Sequence, residues 1–169
     1  MSKLVVGEIE DAAGGNPYSI TVSAEQAHGG GSAIDFTSIP AGTSRIIVML
    51  EDVSLSGTDS ILIQLGDSSG FETSGYVSAG SNQAGSVVTS TAGFVVRAGA
   101  ATENISGHVL LTLLNSSNFS WIGSNMATKG DGCVYSGGKK DLSAELTQVR
   151  ITRTGSNTFD AGAAGIQYQ

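Results

Sequence analysis

The chain has few of the residues that cross-link or rigidify a small fold. Its 169 residues include one cysteine and two prolines. The lone Cys133 cannot close a disulfide within the chain, and no group of cysteine and histidine residues has the spacing of a zinc site. The sequence therefore predicts a fold that depends on packing, with no disulfide framework, no metal ion and no cofactor.

Charge is also sparse. Charged residues make up 14% of the chain, and 8 basic residues against 15 acidic ones leave a formal net charge of -7. No segment concentrates the basic side chains, so the electrostatic footprint of a nucleic-acid-binding protein is absent. The longest apolar run, residues 46–50, is far below the ~18 residues of a membrane-spanning helix, and no signal peptide follows Lys3. We expect a chain that folds in a cytoplasm, binds no nucleic acid and does not insert into a membrane.

What the chain does have is glycine and alternating apolar residues. Its 24 glycines, with many serines and threonines, suit tight polar turns, and short apolar runs with a period of two recur throughout. This pattern predicts an all-β fold. The predicted strands lie near residues 4–9, 18–23, 33–37, 44–55, 60–66, 74–80, 87–97, 105–114, 118–126, 132–136, 144–154 and 163–169.

Two of these strands are apolar on both faces. They read "RIIVMLEDV" (residues 45–53) and "HVLLTLL" (residues 108–114). Each is predicted to lie centrally, with one face in the core and the other against a neighbouring layer or subunit. Spacings of about 8–12 residues between turn signals favour a sandwich or a barrel. The predicted turns lie at residues 54–60, 78–86, 114–119, 136–141 and 154–158.

The pentapeptide "GDSSG" at residues 66–70 matches the G-x-S-x-G pattern of a hydrolase nucleophile elbow, and "HGGGS" at residues 28–32 is similar to a lipase oxyanion loop. An elbow needs a helix directly after its serine, but the sequence beyond Ser68 has no helical periodicity. The order Ser68, Glu72, His108 can be written, yet His108 interrupts a strand. The pattern therefore does not predict an enzyme, and the glycines after His28 are predicted to form a linker.

Three further side chains are predicted to have structural roles. Trp121 lies on one face of the strand "NFSWIGS", which indicates a core aromatic rather than a sugar-binding platform. Lys139 and Lys140 fall in the predicted turn at residues 136–141 and are predicted to be solvated.

Four stretches resemble a known kind of module. They read "IDFTSIPAGTSRIIVMLEDVSLSGTDSILIQLGDSSGFETSGYVS", "GHVLLTLLNSSNFSWIGS", "SGGKKDLSAELTQVRIT" and "TFDAGAAGIQYQ". Over about residues 34–169 they look like a β-sandwich module of tail fibres and other virion proteins of tailed bacteriophages, of the cyanophage kind. The resemblance implies an antiparallel, jelly-roll-like β-sandwich in which "LIQLGDSSGF" is a strand end and a turn.

The same resemblance implies a function. It is that of a non-enzymatic virion structural protein, a tail fibre or receptor-binding head that assembles in the bacterial cytoplasm as a homotrimer and contacts other virion proteins. A host surface glycan is a further implied partner. Tyr76, Tyr135 and Tyr168 could edge a glycan site, although their spacing indicates no shared patch. Two alternatives stay open, a capsid decoration protein and a carbohydrate-binding module.

The N-terminal segment is predicted to attach the protein to the virion. The stretch "SKLVVGEIEDAAGGNP" is similar to N-terminal segments of phage structural proteins. Leu4, Val6 and Ile9 are apolar residues in a piece too short to bury them by itself, so they are the candidate docking residues. The predicted division is an anchor segment at residues 1–23, a glycine-rich linker at 24–33 and the sandwich at 34–169.

Overall fold

The structure, a computed structural model, describes residues 20–27, 29–96, 99–130 and 132–169, and within them every regular element is a β-strand. In chain order the strands are β1 (Thr21–Val22), β2 (Gln26–Ala27), β3 (Ile34–Phe36), β4 (Arg45–Leu55), β5 (Ile61–Asp67), β6 (Gly70–Phe71), β7 (Val77–Asn82), β8 (Val87–Ser90), β9 (Phe94–Val96), β10 (Ile105–Asn115), β11 (Ser120–Lys129), β12 (Gly132–Asp141), β13 (Gln148–Arg153) and β14 (Phe159–Tyr168). The predicted all-β class is confirmed. In the described part of the chain no helix is long and apolar enough to cross a membrane.

The strands form two antiparallel sheets, consistent with a β-sandwich. The large sheet has nine strands in the order β1-β14-β4-β10-β11-β12-β7-β8, with β2 also paired to β14. The small sheet has five strands in the order β3-β13-β5-β6, with β9 also paired to β5. The jelly-roll order of strands stays a prediction.

The core lies between the sheets, and period-two alternation decides which side chains enter it. On β4, Ile46 and Val48 are fully buried, whereas Ile47 and Met49 point to the opposite face of the large sheet and are half-buried. The strand β10 lies beside β4 and follows the same pattern. The prediction that these two strands are central and apolar on both faces is therefore confirmed.

Large aliphatic and aromatic side chains fill the space between the sheets. Trp121 is 1% exposed, which confirms its predicted place in the core. Each buried aliphatic side chain contributes about 1.5–3 kcal/mol of transfer free energy, so the interior is the main source of stability. The largest fully buried side chains are Trp121, Tyr76, Phe159, Ile46, Leu55, Ile61, Ile63, Leu65, Ile105, Leu111, Ile151 and Ile166.

The strand predicted at residues 87–97 is in fact two strands in different sheets. β8 extends the large sheet beyond β7, and β9 pairs with β5 in the small sheet. Residues 91–93 between them cross the outer side of β5, where Gln64 Nε2 donates to the Ala92 carbonyl at 2.8 Å. A Cβ at Gly93 would lie 3.0 Å from the Ile63 carbonyl oxygen, so a glycine allows this close crossing. The sequence pattern of the two short strands is that of one continuous strand, so it does not reveal that the chain changes sheets between them.

The predicted turn at residues 136–141 is wrong, because β12 continues through it to Asp141. Glycine marks a close approach of two backbones here. A Cβ at Gly138 would lie 2.5 Å from the carbonyl oxygen of Val77 on the neighbouring strand β7. A glycine inside a strand can mark a close approach of two backbones instead of a turn, and the sequence of two glycines alone does not distinguish these cases. Two other boundaries differ, since β13 begins only at Gln148 and β14 begins early, at Phe159.

The chain before β3 is bonded to the large sheet where it is described. β1 pairs with the end of β14, with Val22 opposite Gln167. The Gly30 N–H donates to the Phe159 carbonyl, and the Phe159 N–H donates to the Gly31 carbonyl. The predicted docking residues Leu4, Val6 and Ile9 lie outside the described residues, as does His28, and the predicted division at residues 1–23 and 24–33 stays a prediction.

Candidate functional site

The "GDSSG" stretch forms the end of β5 and the turn to β6, as expected. Ser68 is exposed in the turn, whereas the Asp67 side chain is buried. The Asp67 carboxylate accepts the Ser69 N–H at 2.7 Å, an arrangement that aspartate favours in turns. The Gln148 side-chain amide donates to the Asp67 carbonyl at 2.6 Å. The stretch is thus held as a turn by its own aspartate and by β13.

The structure does not bring Ser68, Glu72 and His108 together. Ser68 follows β5 in the small sheet, whereas His108 lies on β10 in the large sheet and is exposed on the face turned away from the core. The Glu72 carboxylate bonds to Lys140 and Ser143 instead. The His108 imidazole is therefore not placed to accept a proton from Ser68.

Glu72 belongs to a polar cluster that closes one end of the sandwich. Its carboxylate forms an ion pair with Lys140, and the Lys140 ammonium also donates to the Ser74 carbonyl at 2.9 Å. The prediction that Lys140 is solvated is wrong, because it is 5% exposed and lies on the inward face of β12. Lys139 points outward and pairs with Asp141 at 3.1 Å, with close to half of each side chain exposed.

Hydrogen bonds in the cluster keep its carboxylates ionised. The Ser143 hydroxyl, 2.7 Å from the Asp67 carboxylate, and the Ser69 N–H hold the pKa of Asp67 below its usual value. Burial opposes ionisation of Glu72, but Lys140 and Ser143 outweigh burial and lower the pKa of Glu72. Burial raises the pKa of the Tyr76 hydroxyl, which donates to the Glu72 carbonyl at 3.1 Å. The cluster has a structural role, fixing the turn after β5 to the end of β12.

Metal binding finds no support in the described ranges. Within residues 20–27, 29–96, 99–130 and 132–169, no three histidine, cysteine, aspartate or glutamate side chains are grouped so that they could hold an ion.

A different region stands out as an interaction surface, the side of the large sheet that faces away from the core, here called the outer face. Strand register arranges its side chains in three rows that cross the sheet. The first row is Gly165, Met49, His108, Met126, Tyr135, Ser81 and Val87. The second row is Gln167, Ile47, Leu110, Ser124, Gly137, Ala79 and Thr89. The third row is Arg45, Thr112, Ile122, Lys139 and Val77.

Exposed large hydrophobic side chains concentrate on this sheet. Val77 is 74% exposed and Met126 is 60% exposed. All such side chains in the described part of the chain lie on the strands of the large sheet or directly before β1, and none lies on the small sheet. They are Ile20, Val22, Val77, Val87, Leu114, Ile122, Met126 and Tyr135. A concentration of this kind on one side of a domain is typical of an interaction site.

Four large apolar residues of β4, β10 and β11 lie close together in the first two rows, and we call this group the ridge. They are Ile47, Met49, Leu110 and Met126. Two adjoining hollows of about 460 and 250 Å³ lie over β7, β8 and β12. We call them the trough, with Ala79 and Gly137 as its floor and Val77, Val87 and Tyr135 as its walls.

The outer face is also unusual in charge. Although the chain has 15 acidic residues, none of them lies in the three rows. The formal charges in the rows are those of Arg45 and Lys139. Carboxylates lie at the borders of the rows, where Glu25 and Glu51 line a hollow beside Met49, and Asp141 pairs with Lys139. The three rows thus form a stretch of this acidic protein without carboxylates, bordered by Glu51 on β4 and Asp141 on β12.

The three predicted tyrosines do not form a patch. Tyr76 is buried in the core, Tyr135 lies at the trough, and Tyr168 is at the end of β14 on the far side of the large sheet. Sequence reasoning missed Met126 and Gly137. The alternation in "SWIGSNMATK" could have placed Met126 outward, opposite the buried Trp121 and Ala127.

Comparison of the chain with known protein families, with curated proteins and with solved structures finds no match.

Proposed function

We propose that this protein is a non-enzymatic structural subunit of a tailed-bacteriophage virion, a tail fibre or receptor-binding head that forms a homotrimer. The resemblance of residues 34–169 to virion sandwich modules supports this proposal. Assembly takes place in the host cytoplasm, and the working location is the virion.

The concentration of exposed hydrophobic side chains on the large sheet carries the proposal. A free-standing soluble domain rarely exposes a large apolar patch, whereas an assembling subunit covers it with its neighbours. The absence of carboxylates from the three rows fits the same role, because the face can be covered without desolvating unpaired acids. A hydrolase would need neither property.

Attachment to the particle is assigned to the N-terminal segment. Ile20, the first described residue, lies beside Arg45 and Ile47 at the edge of the outer face. We propose that Leu4, Val6 and Ile9 bind another virion protein, since three apolar side chains in a short segment need a partner surface.

The test is incorporation into virions of the phage that encodes the chain. Complementation with the triple variant Leu4→Ser, Val6→Ser, Ile9→Ser is compared with the wild-type chain by immunoblotting of gradient-purified particles. We expect wild-type chain in the particles and loss of the variant from them, with an unchanged circular dichroism spectrum and melting temperature. Val5→Ser is the matched control, because Val5 falls outside the docking set.

Each result has a distinct meaning. Absence of the wild-type chain from purified particles would refute the virion function. Normal incorporation of the triple variant would refute the anchor and move docking to the sandwich. Immunogold label at the tail supports the fibre, whereas label over the head would replace it with the decoration alternative. A chain absent from particles but retained on immobilised glycans would favour the carbohydrate-binding alternative.

A further inference from the structure

Gly137 has no role in the fold that requires a glycine. Its φ is not positive, and a Cβ added to it would meet only the Gly123 carbonyl oxygen, at an ordinary 3.7 Å. Its neighbour Gly138 is different, since a Cβ there would collide with the Val77 carbonyl. Glycine weakens a strand, and close approach of a ligand or another backbone is one reason for a glycine inside a strand that has neither a bulge nor a bend. Gly137 therefore points to an occupant of the trough.

The lining of the trough indicates what that occupant is. Its floor and walls are alanine, glycine, valine and tyrosine, and its polar side chains are hydroxyls and Lys139. No carboxylate or side-chain amide lines either hollow. Carboxylates and side-chain amides bind two saccharide hydroxyls at once, which single hydroxyl groups do not, whereas an apolar protein side chain needs only space and contact. The chemistry favours a bulky apolar side chain.

From these observations we infer that the ridge of one copy of this chain packs into the trough of a second copy. The inference rests on the proposed subunit function and deepens it by naming the subunit interface. Ridge and trough adjoin on the same face, because Met126 on β11 is paired with Tyr135 on β12, and their centres lie about 14 Å apart, three strand spacings from β10 to β7. Each copy therefore presents both halves of the contact, and a closed ring or a pair satisfies both.

Size and charge both fit a second copy. Two rows cross seven strands and the third crosses five, so together they cover about 600 Å², against the ~800 Å² that each partner contributes to a standard interface. Two molecules with a net charge of -7 repel each other through most of their surfaces. The three rows are where they can meet without opposing carboxylates, because Glu51 and Asp141 lie at the borders of the rows.

The decisive experiment measures the molar mass of the full-length chain by sedimentation equilibrium and multi-angle light scattering up to high micromolar concentration. We expect the wild-type chain to associate above its 17.1 kDa monomer mass. Gly137→Val fills the trough, and Met126→Glu places a carboxylate on the ridge. Each is expected to weaken association by about tenfold or more, because a buried apolar contact is lost or a charge is desolvated.

Matched controls separate the interface from the fold. Gly29→Val makes the same chemical change at a glycine with nothing within 4 Å of the added Cβ, and it should leave association unchanged. Met126→Leu keeps the ridge apolar and should retain association. Thermal unfolding of the variants at low micromolar concentration should match that of the wild-type chain, since neither Gly137 nor Met126 contacts the core.

The outcomes distinguish this inference from the proposed function. A wild-type chain that stays monomeric would overturn the proposed interface, and the outer face would then be covered by residues 1–19 or by another virion protein. This conclusion does not depend on the result of the incorporation assay. Gly137→Val and Met126→Glu variants that associate normally would also overturn it. A dimer that both substitutions dissociate would support the ridge and trough contact and refute only the proposed trimer.

Discussion

The two sheets share one core but differ on their outer sides. On the small sheet, the Arg150 guanidinium pairs with both Asp35 oxygens at 2.7 Å and stacks 4.1 Å from the Phe71 ring, and Gln64 is bonded to the crossing loop. On the large sheet, Met126 and Val77 are exposed. The core cannot explain this difference, because both sheets contribute one apolar face to it. The outer side of the small sheet is covered by contacts within the chain, and we propose that a partner covers the outer side of the large sheet.

The same contrast occurs between neighbouring residues of β12. Lys140 and Gly138 point inward, where the ammonium group pairs with Glu72 and the glycine allows close packing against β7. Lys139 and Gly137 point outward, where neither is required by internal packing. Adjacent identical residues thus have opposite roles because successive side chains of a strand alternate between faces.

The largest effect on stability is expected from Lys140. Lys140→Met leaves the partly buried Glu72 carboxylate without its cation and should reduce the free energy of unfolding by about 2–3 kcal/mol. Lys139→Met removes a half-exposed pair and should cost about 0.5 kcal/mol or less. Urea denaturation of both variants measures the difference. Equal effects would contradict the assignment of opposite roles to the two lysines.

A smaller and pH-dependent effect is expected from Ser143. The pKa values of Asp67 and Glu72 are lowered from 3.8 and 4.5, so their contribution to stability is complete above the unfolded values and disappears as pH falls through the lower folded values. Ser143→Ala should cost about 1.5–2 kcal/mol at neutral pH, at the lower end of the range for hydrogen bonds to charged groups, and less in acid.

Melting temperatures recorded from neutral pH down through this acid range test the prediction. Ser68→Ala is the matched control, since Ser68 is exposed in the turn beside the same cluster, and it should leave both stability and assembly unchanged. A Ser143→Ala deficit that is constant with pH would show that the hydroxyl does not stabilise the ionised carboxylates. Loss of a catalytic turnover in Ser68→Ala would reverse the interpretation of "GDSSG" as a turn.

The smallest effect is expected on the outer side of the small sheet. A double-mutant cycle of Arg150→Ala and Asp35→Ala should give a coupling energy of about 1 kcal/mol, because both side chains are about one-third exposed. The coupling energy should decrease with added salt. Neither Arg150→Ala nor Asp35→Ala should change the self-association of the chain, in contrast to Gly137→Val. Weakened self-association of Arg150→Ala would contradict the contrast between the two sheets, because it would place a contact surface on the small sheet as well.

Sequence alone determined the all-β class and most strand positions, because alternation and turn residues act locally. It predicted that β4 and β10 are central and apolar on both faces, and that Trp121 is in the core. Local signals failed where the answer depended on a partner strand. The glycines at 137 and 138 suggested a turn, and nothing nearby in sequence indicates that the Val77 backbone passes beside one of them.

Tertiary structure decided which side of each strand is covered and by what. Residues 91–93 carry the chain from one sheet to the other. Lys140 pairs with a carboxylate 68 positions earlier in the chain, and Ala79 and Gly137 lie side by side on strands that are far apart in sequence. Such neighbours are set by strand order and register, which a period-two pattern does not encode. The pattern indicates that two strands have a second apolar face. The register of β4, β10, β11, β12, β7 and β8 arranges that face into a ridge and a trough.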